Sequence, residues 1–155
     1  MNRWKILPLL LVAWEMFAQD PRFEARASLG STSFVDEGAQ THFLIAPSAR
    51  YYFLPRLAVE GEFQYLLQND HHYDVVVLPS VVWDIRRGRV VPYLSAGLGV
   101  IYSSFPFFTT TEKFAQGGVG VKLYWNDHWY VAPEFKAGSE LHVRFSAAVG
   151  YTWRR

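Results

Sequence analysis

Apolar and polar residues alternate along the chain from residue 22 to its end, in runs of about ten residues. The clearest run is the last one, in which one face carries Val143, Phe145, Ala147, Val149, Tyr151 and Trp153. Successive side chains of a strand point to opposite faces, so each run predicts a β-strand with one apolar and one polar face. Eight strands are predicted, at about 22–34, 43–53, 57–67, 75–85, 90–102, 114–125, 129–137 and 142–153.

The gaps between these runs alternate in length. Tight turns are predicted at Leu54–Arg56, Arg86–Arg89 and Asn126–His128, and longer gaps lie at 35–42, 68–74 and 103–113. This order is typical of outer-membrane barrels, which have short periplasmic turns and longer external loops. The pattern predicts an all-β protein, an eight-stranded antiparallel up-and-down transmembrane β-barrel over residues 22–155, with both termini periplasmic. Pro47, Pro79, Pro92 and Pro133 lie in or near strands, where we expect bulges or strand ends.

Large aromatic residues recur on the apolar face at the strand ends next to the tight turns. Such residues form girdles at the membrane interface of outer-membrane barrels. The predicted girdle consists of Phe23, Phe53, Trp83, Trp125, Trp129 and Trp153. Phe34, Phe43, Tyr65, Tyr102 and Phe114 are predicted to form the opposite ring, whereas Tyr93 is predicted to face inward.

The opposite face of the strands carries charges of both signs. It would place Glu24, Arg26, Arg50, Glu60, Glu62, Asp84, Lys122, Glu134, Lys136 and Arg144 in the lumen. Five acids and five bases can pair there, and eight strands leave an interior that side chains just fill. We therefore expect a charged plug that braces the barrel, in preference to an acid/base pair or a narrow ion path, with inward glycines making room for long side chains.

Composition adds limits on location and chemistry. The 155 residues suffice for one domain, the net charge of +1 gives no basis for nucleic-acid binding, and the absence of cysteine excludes disulfides and thiolate chemistry. A mean hydropathy of +0.00 suits a barrel that averages two unlike faces. Residues 1–18 are predicted to be a signal peptide, with Arg3 and Lys5 before an apolar run that is too short for a membrane anchor.

Candidate sites for other chemistry are weak. His42, His71, His72 and His142 are predicted near the external rim, where a divalent metal site is conceivable but a solvated polar loop is favoured. His142 and Ser146 share a face but lie roughly 13 Å apart along a strand, too far for a catalytic pair. We therefore predict no catalytic residues, no cofactor and no metal.

The chain resembles the small eight-stranded outer-membrane barrels of the OmpA/OmpX-like group. The segments that carry the resemblance are Pro92–Gly99, Gly117–Val121 and Ala148–Trp153. The resemblance implies recognition of a terminal aromatic residue by the barrel-assembly machinery, although here Arg154 and Arg155 follow Trp153. Lipid A deacylases of this architecture carry His-x-Ser on a late strand. This chain has His142-Val143-Arg144, so that activity is not carried over.

The sequence therefore predicts a non-enzymatic outer-membrane barrel of a Gram-negative-type bacterium that serves envelope integrity or surface contacts. Phe105, Phe107 and Phe108 are the candidate contact residues in an external loop. The expected partners are outer-membrane lipid, lipopolysaccharide and the assembly machinery, and the protein is expected to be a monomer. The alternatives are a lipid A-modifying enzyme, a small-solute porin and a soluble lipocalin-like carrier.

Overall fold

Eight antiparallel strands make up the described part of the chain. The computed structural model describes residues 22–34, 40–67, 73–104, 109–139 and 142–153. The strands are β1 (Arg22–Phe34), β2 (Gln40–Tyr52), β3 (Leu57–Leu67), β4 (Tyr73–Asp84), β5 (Val90–Ser104), β6 (Thr109–Tyr124), β7 (Trp129–Gly138) and β8 (His142–Trp153). The predicted fold class is confirmed. The predicted signal peptide and the loop residues Phe105, Phe107 and Phe108 lie outside the described residues.

Two strands begin three or more residues earlier than the alternation predicted. β2 begins at Gln40 instead of residue 43, and β6 begins at Thr109 instead of residue 114. Their first residues are mostly polar, so the apolar rhythm is absent there although the strands already pair with β1 and β5. None of the described residues forms a helix long and apolar enough to cross a membrane.

The sheet closes on itself, because β8 pairs with β1 and every other strand pairs with its neighbours in sequence. Starting from Phe23 and following paired residues through all eight strands, the path returns to β1 at Ser33, ten residues further along. A stagger of this size tilts the strands by about 40° and leaves an interior that side chains can fill. Arg22 and Trp153 lie at the end with the three tight turns, which we call the turn end; the opposite end is the loop end.

The two faces of the barrel wall differ as the alternation predicted. Large apolar side chains are exposed on the outside, and the six aromatics of the predicted girdle are 42–56% exposed at the turn end. The Phe23 and Trp153 rings lie 5.3 Å apart, and the Tyr151 and Trp153 rings lie 4.7 Å apart. The prediction for Phe114 was wrong. Its ring faces the lumen and is 5% exposed, because its even-numbered position in β6 shares the inward face with Lys122.

Three prolines interrupt the hydrogen-bonded ladders without forming bulges. The β2–β3 ladder skips Ala46 and Pro47, and the same two-residue gap occurs at Pro79 between β4 and β5 and at Pro133 between β6 and β7. The register is the same on both sides of each gap. Proline has no N–H to donate, so each strand loses one side of its ladder locally and stays in register. Pro92 follows the expected alternative, because it lies where β4 has already ended.

Two glycines make room for inward tyrosines. Gly120 is paired with Tyr93 across β5 and β6, and Gly150 is paired with Tyr130 across β7 and β8. A Cβ on either glycine would overlap the ring of its partner tyrosine. The expectation of room for long charged side chains holds at Gly118, where a Cβ would lie 2.5 Å from the Lys136 side chain. Small inward residues therefore set where the bulky lumen groups can lie.

Replacing Gly150 with Ala should destabilise the barrel, because the added methyl group displaces the Tyr130 ring from its hydrogen bond to Glu24. Overpacking of this kind costs about 1–3 kcal/mol of unfolding free energy. Gly61→Ala is the matched control, since a Cβ at Gly61 meets nothing within 4 Å. Urea unfolding in lipid vesicles should give a lower midpoint for Gly150→Ala only. Equal midpoints for the two variants would contradict the steric account.

Candidate functional site

A network of buried charges fills much of the lumen. All ten side chains predicted for it belong to residues that are at most 5% exposed. Each lies at an inward position of its strand because the side chains of a strand alternate strictly. Ions removed from water in this way are stable only when they are paired and hydrogen-bonded.

The group nearest the turn end is centred on Glu24. Its carboxylate accepts hydrogen bonds at 3.2–3.4 Å from five side chains on four other strands. The donors are Tyr52, Lys122, Tyr124, Tyr130 and Thr152. Since the five donors come from four other strands, one carboxylate ties β1 to β2, β6, β7 and β8.

Lys122 extends this group to Asp84. Its ammonium group lies 3.0 Å from Asp84 Oδ2 and donates to the Tyr52 hydroxyl at 2.6 Å. Arg22 also reaches Asp84 Oδ2, at 3.0 Å. The sequence analysis missed Arg22, although its even-numbered position gives it the same facing as Glu24. Its side chain is 21% exposed because it lies at the mouth of the barrel.

The middle group joins Glu134 and Glu60 to two arginines. Glu134 forms a close ion pair with Arg26 and accepts a short hydrogen bond from the Tyr93 hydroxyl. Arg26 also donates to Tyr93 at 3.2 Å, which links β1 directly to β5 on the opposite wall. Glu60 forms a close ion pair with Arg50, whose guanidinium lies 4.5 Å from the centre of the Tyr93 ring.

The third group is centred on Glu62, nearer the loop end. Arg144 holds its carboxylate in a two-point contact, at 2.6 and 3.3 Å. Lys136 and Gln64 donate to the same carboxylate at 3.1 and 2.8 Å. The Lys136–Glu62 contact crosses from β7 to β3, which face each other across the barrel. A planar guanidinium fork on a carboxylate is among the strongest hydrogen-bonded ion pairs.

Most of the chain matches the sequence pattern of one protein family. Residues 6–152 match the family model described as outer membrane protein beta-barrel domain. The chain belongs to this family. No curated protein matches it by sequence.

Solved structures of outer-membrane barrels share the fold at low identity. The N-terminal barrel domain of Pseudomonas aeruginosa OprF is 12% identical with a TM-score of 0.65, and the match covers 84% of this chain and 97% of that one. Neisserial surface protein A is 15% identical with a TM-score of 0.66, covering 84% and 96%. Yersinia pestis Ail, the attachment invasion locus protein solved with a heparin analogue, is 14% identical with a TM-score of 0.51, covering 86% and 97%. Identities this low show a shared fold alone.

Tyrosines are the part of the outer-membrane barrel's network that the sequence analysis mostly missed. Tyr93 was predicted to face inward, but Tyr52, Tyr124 and Tyr130 were not considered. Each occupies an even-numbered position in a strand whose even-numbered residues face the lumen, so parity alone would have found them. Their phenols are needed because charged side chains cannot by themselves supply all the donors that Glu24 accepts.

The lumen near the loop end is apolar over much of its wall, a feature that the predicted charged plug did not include. This apolar layer consists of Leu44, Ala46, Leu66, Val76, Leu78, Ile101 and Phe114, which are at most 8% exposed. Its residues belong to β2 through β6. The charges of the outer-membrane barrel are therefore bordered on the loop side by packed hydrocarbon along β2 to β6.

The predicted histidine rim is only partly described. His42 and His142 are buried, and His142 Nε2 makes a short hydrogen bond to Thr32 Oγ1. His71 and His72 lie outside the described residues. Among the described residues, no three His, Cys, Asp or Glu side chains form a group that could hold a metal. Ser146 contacts Glu134 at 3.3 Å and Arg144 at 3.2 Å, so its hydroxyl is engaged within the network.

Glu24→Gln should destabilise the barrel strongly. The amide removes the charge that balances Lys122 and turns one acceptor into a donor among five donors. Breaking a buried ion pair on one side costs about 3–5 kcal/mol. Glu112→Gln, at an exposed position of β6, is the matched control. Urea titration in lipid vesicles measures the difference, and a Glu24→Gln midpoint equal to that of the control would refute the central role of Glu24.

Proposed function

We propose that this protein is a non-enzymatic outer-membrane barrel with a closed lumen. In this proposal the turn end faces the periplasm and the loop end faces outward. The barrel then contributes to envelope integrity, or its external loops contact other surfaces. Outer-membrane lipid and lipopolysaccharide surround it, the barrel-assembly machinery inserts it, and it works as a monomer without a cofactor.

Two contacts across the full width of the barrel carry the proposal of a closed lumen. Lys136 of β7 meets Glu62 of β3 at 3.1 Å, and Arg26 of β1 meets Tyr93 of β5 at 3.2 Å. Each pair joins strands on opposite walls. A continuous water path would have to separate buried ions from their partners, which is costly in a low-dielectric interior.

The outer face supports a membrane protein over the soluble carrier alternative. Large apolar side chains such as Leu98, 72% exposed, and Phe145, 60% exposed, cover the outside of the wall. A soluble lipocalin-like barrel would place apolar residues inside and polar residues outside, and here the charged residues are inside. These apolar side chains are poorly hydrated in water, whereas the hydrocarbon of a membrane accommodates them.

The engagement of Ser146 and His142 supports a role without catalysis. Their partners are Glu134 and Arg144 for the serine and Thr32 for the histidine, so the two side chains are bound to different groups. A lipid A-modifying enzyme would need a nucleophile or base directed at a substrate. In the proposed function both side chains serve the packing of the lumen.

Surface contact through the loops is supported by the exposed aromatics predicted in the 105–108 segment. By name, Neisserial surface protein A is a surface protein and Ail is an attachment protein. Their shared fold with this chain makes loop-mediated contact a reasonable role for a barrel of this size, and the sequence Phe105-Pro106-Phe107-Phe108 would supply apolar contact area.

Planar bilayer recordings test the closed lumen. The folded protein should produce no stable unitary currents, because in this proposal the ion pair and the arginine–tyrosine hydrogen bond across the lumen leave no continuous water path. A general porin inserted into the same bilayer is the positive control. Reproducible single-channel steps that depend on this protein would overturn the proposal and favour the small-solute porin alternative.

Replacing Phe105, Phe107 and Phe108 with Ser tests the loop contact. The triple variant should keep heat-modifiable migration on a semi-native gel but reduce the adhesion of cells that display the protein to lipopolysaccharide-coated surfaces, since apolar contact area is lost. A variant with Thr109, Thr110 and Thr111 replaced by Ser is the control, because it changes the same region without removing aromatic rings. Unchanged adhesion in the phenylalanine variant would leave envelope integrity as the proposed role.

A further inference from the structure

The turn end contains a blind cup of about 440 Å³ at the mouth of the barrel. Buried side chains of Tyr52, Val91 and Tyr124 line its inner part. Six charged residues from β1, β4 and two of the tight turns also line it, and they are Arg22, Asp84, Arg86, Arg87, Arg89 and Asp127. The lumen network includes Arg22 and Asp84, but it does not account for the charges of the turn residues in this list.

The cup carries an excess of positive charge. Four arginines and two aspartates line it. Asp84 is already balanced, since both Arg22 and Lys122 lie 3.0 Å from its Oδ2 atom. Among the other charged residues that line the cup, the three arginines of the turn between β4 and β5 outnumber Asp127.

The unusual backbone conformation of this turn comes from a residue other than its arginines. Gly88, with a φ of +133°, supplies the conformation that other residues rarely adopt. Arg86 Nε donates to the Val90 carbonyl at 2.9 Å, which is the kind of local bond a turn side chain often makes. In the turn between β6 and β7, a neutral side chain makes the local bonds. The Asn126 side-chain oxygen accepts hydrogen bonds from the backbone N–H groups of His128 and Trp129. Adjacent like charges repel, so Arg87 and Arg89 favour an anion nearby.

Two buried polar atoms of the cup indicate what else a ligand would carry. Arg22 Nε lies 3.7 Å from Glu24 Oε1 without a hydrogen bond, and Asp84 Oδ1 has no hydrogen-bond donor, among the described residues. Both residues line the cup, and Asp84 is 2% exposed. A ligand with an anionic oxygen and a hydroxyl group would complement these two residues, because the oxygen accepts from the Arg22 guanidinium and the hydroxyl donates to the Asp84 carboxylate.

The position of the cup favours phosphate as the anion. Trp83 and Trp125, both exposed on the outer face, lie next to the two turns that form its rim, and Phe53 lines it directly. Interfacial aromatic residues of barrels lie at the level of lipid headgroups. Guanidinium groups recognise phosphate through paired, charge-assisted hydrogen bonds. We propose that this cup binds a phosphate ester that also bears a hydroxyl group, supplied by a lipid headgroup of the adjoining leaflet or by a soluble molecule.

Two binding measurements separate these sources. Glycerol 3-phosphate is titrated into the folded protein in a neutral detergent by calorimetry, with glycerol as the uncharged comparison. Phosphatidylglycerol retention is measured by native mass spectrometry of protein released from phosphatidylcholine nanodiscs that contain a minor fraction of phosphatidylglycerol. Binding in the first measurement identifies a soluble phosphate ester, and selective retention in the second identifies a lipid headgroup.

The decisive variant replaces Arg87 and Arg89 with Ser and leaves the Arg86–Val90 bond intact. Its control replaces Lys113, an exposed cation of β6 outside the cup and near the loop end, with Ser. Losing charge-assisted hydrogen bonds should weaken binding by about tenfold or more in the first variant only. Heat-modifiable migration checks folding, and R87Q/R89Q is the second variant if the serine form does not fold. Binding absent from the wild type in both measurements, or weakened equally by the control, overturns the proposal.

Discussion

Pairing of buried charges across the lumen is the constraint on which the rest of this barrel depends. Glu62 finds its partners on β7 and β8, and Glu24 finds its donors on four other strands. These contacts exist only in one register, because a slip by one residue would turn the ions of a strand toward lipid and its apolar residues toward the lumen. The stagger of ten residues, the inward glycines and the charge pairs therefore support one another.

Alternation was enough to predict the fold and the ten charged lumen residues, because a charged side chain at an inward position stands out against apolar neighbours. It was not enough where both faces are apolar. Leu44, Leu66 and Val76 lie within continuous apolar runs, so their inward facing leaves no signal in local composition. Parity counted from a charged residue of the same strand would have found them, as it would have found Tyr130. Phe114 was misplaced for the opposite reason, because its aromatic character was given more weight than its parity.

Low sequence identity to other outer-membrane barrels follows from what the fold requires. The match to OprF and Neisserial surface protein A is 12% and 15% identical, although it extends over 84% of the chain. Lipid accepts almost any large apolar side chain at an outward position, so identity there is free to drift. Inward residues are constrained as sets of complementary partners, and different sets can fill a lumen of the same width. The arginine-rich turn between β4 and β5 belongs neither to the lipid-facing nor to the lumen-facing residues. The alternation of apolar and polar residues therefore predicted only that it is a tight turn.

The proline interruptions divide the wall in a regular way. They fall in the ladders between β2 and β3, β4 and β5, and β6 and β7, which are the pairs joined by tight turns. The ladders within the four hairpins joined at the loop end, and the ladder between β1 and β8 that closes the barrel, are continuous. The barrel is thus four intact hairpins joined along three weaker seams. A hairpin can form an unbroken ladder of its own before it meets the next one, and side chains within the lumen then add to the interrupted ladders between neighbouring hairpins.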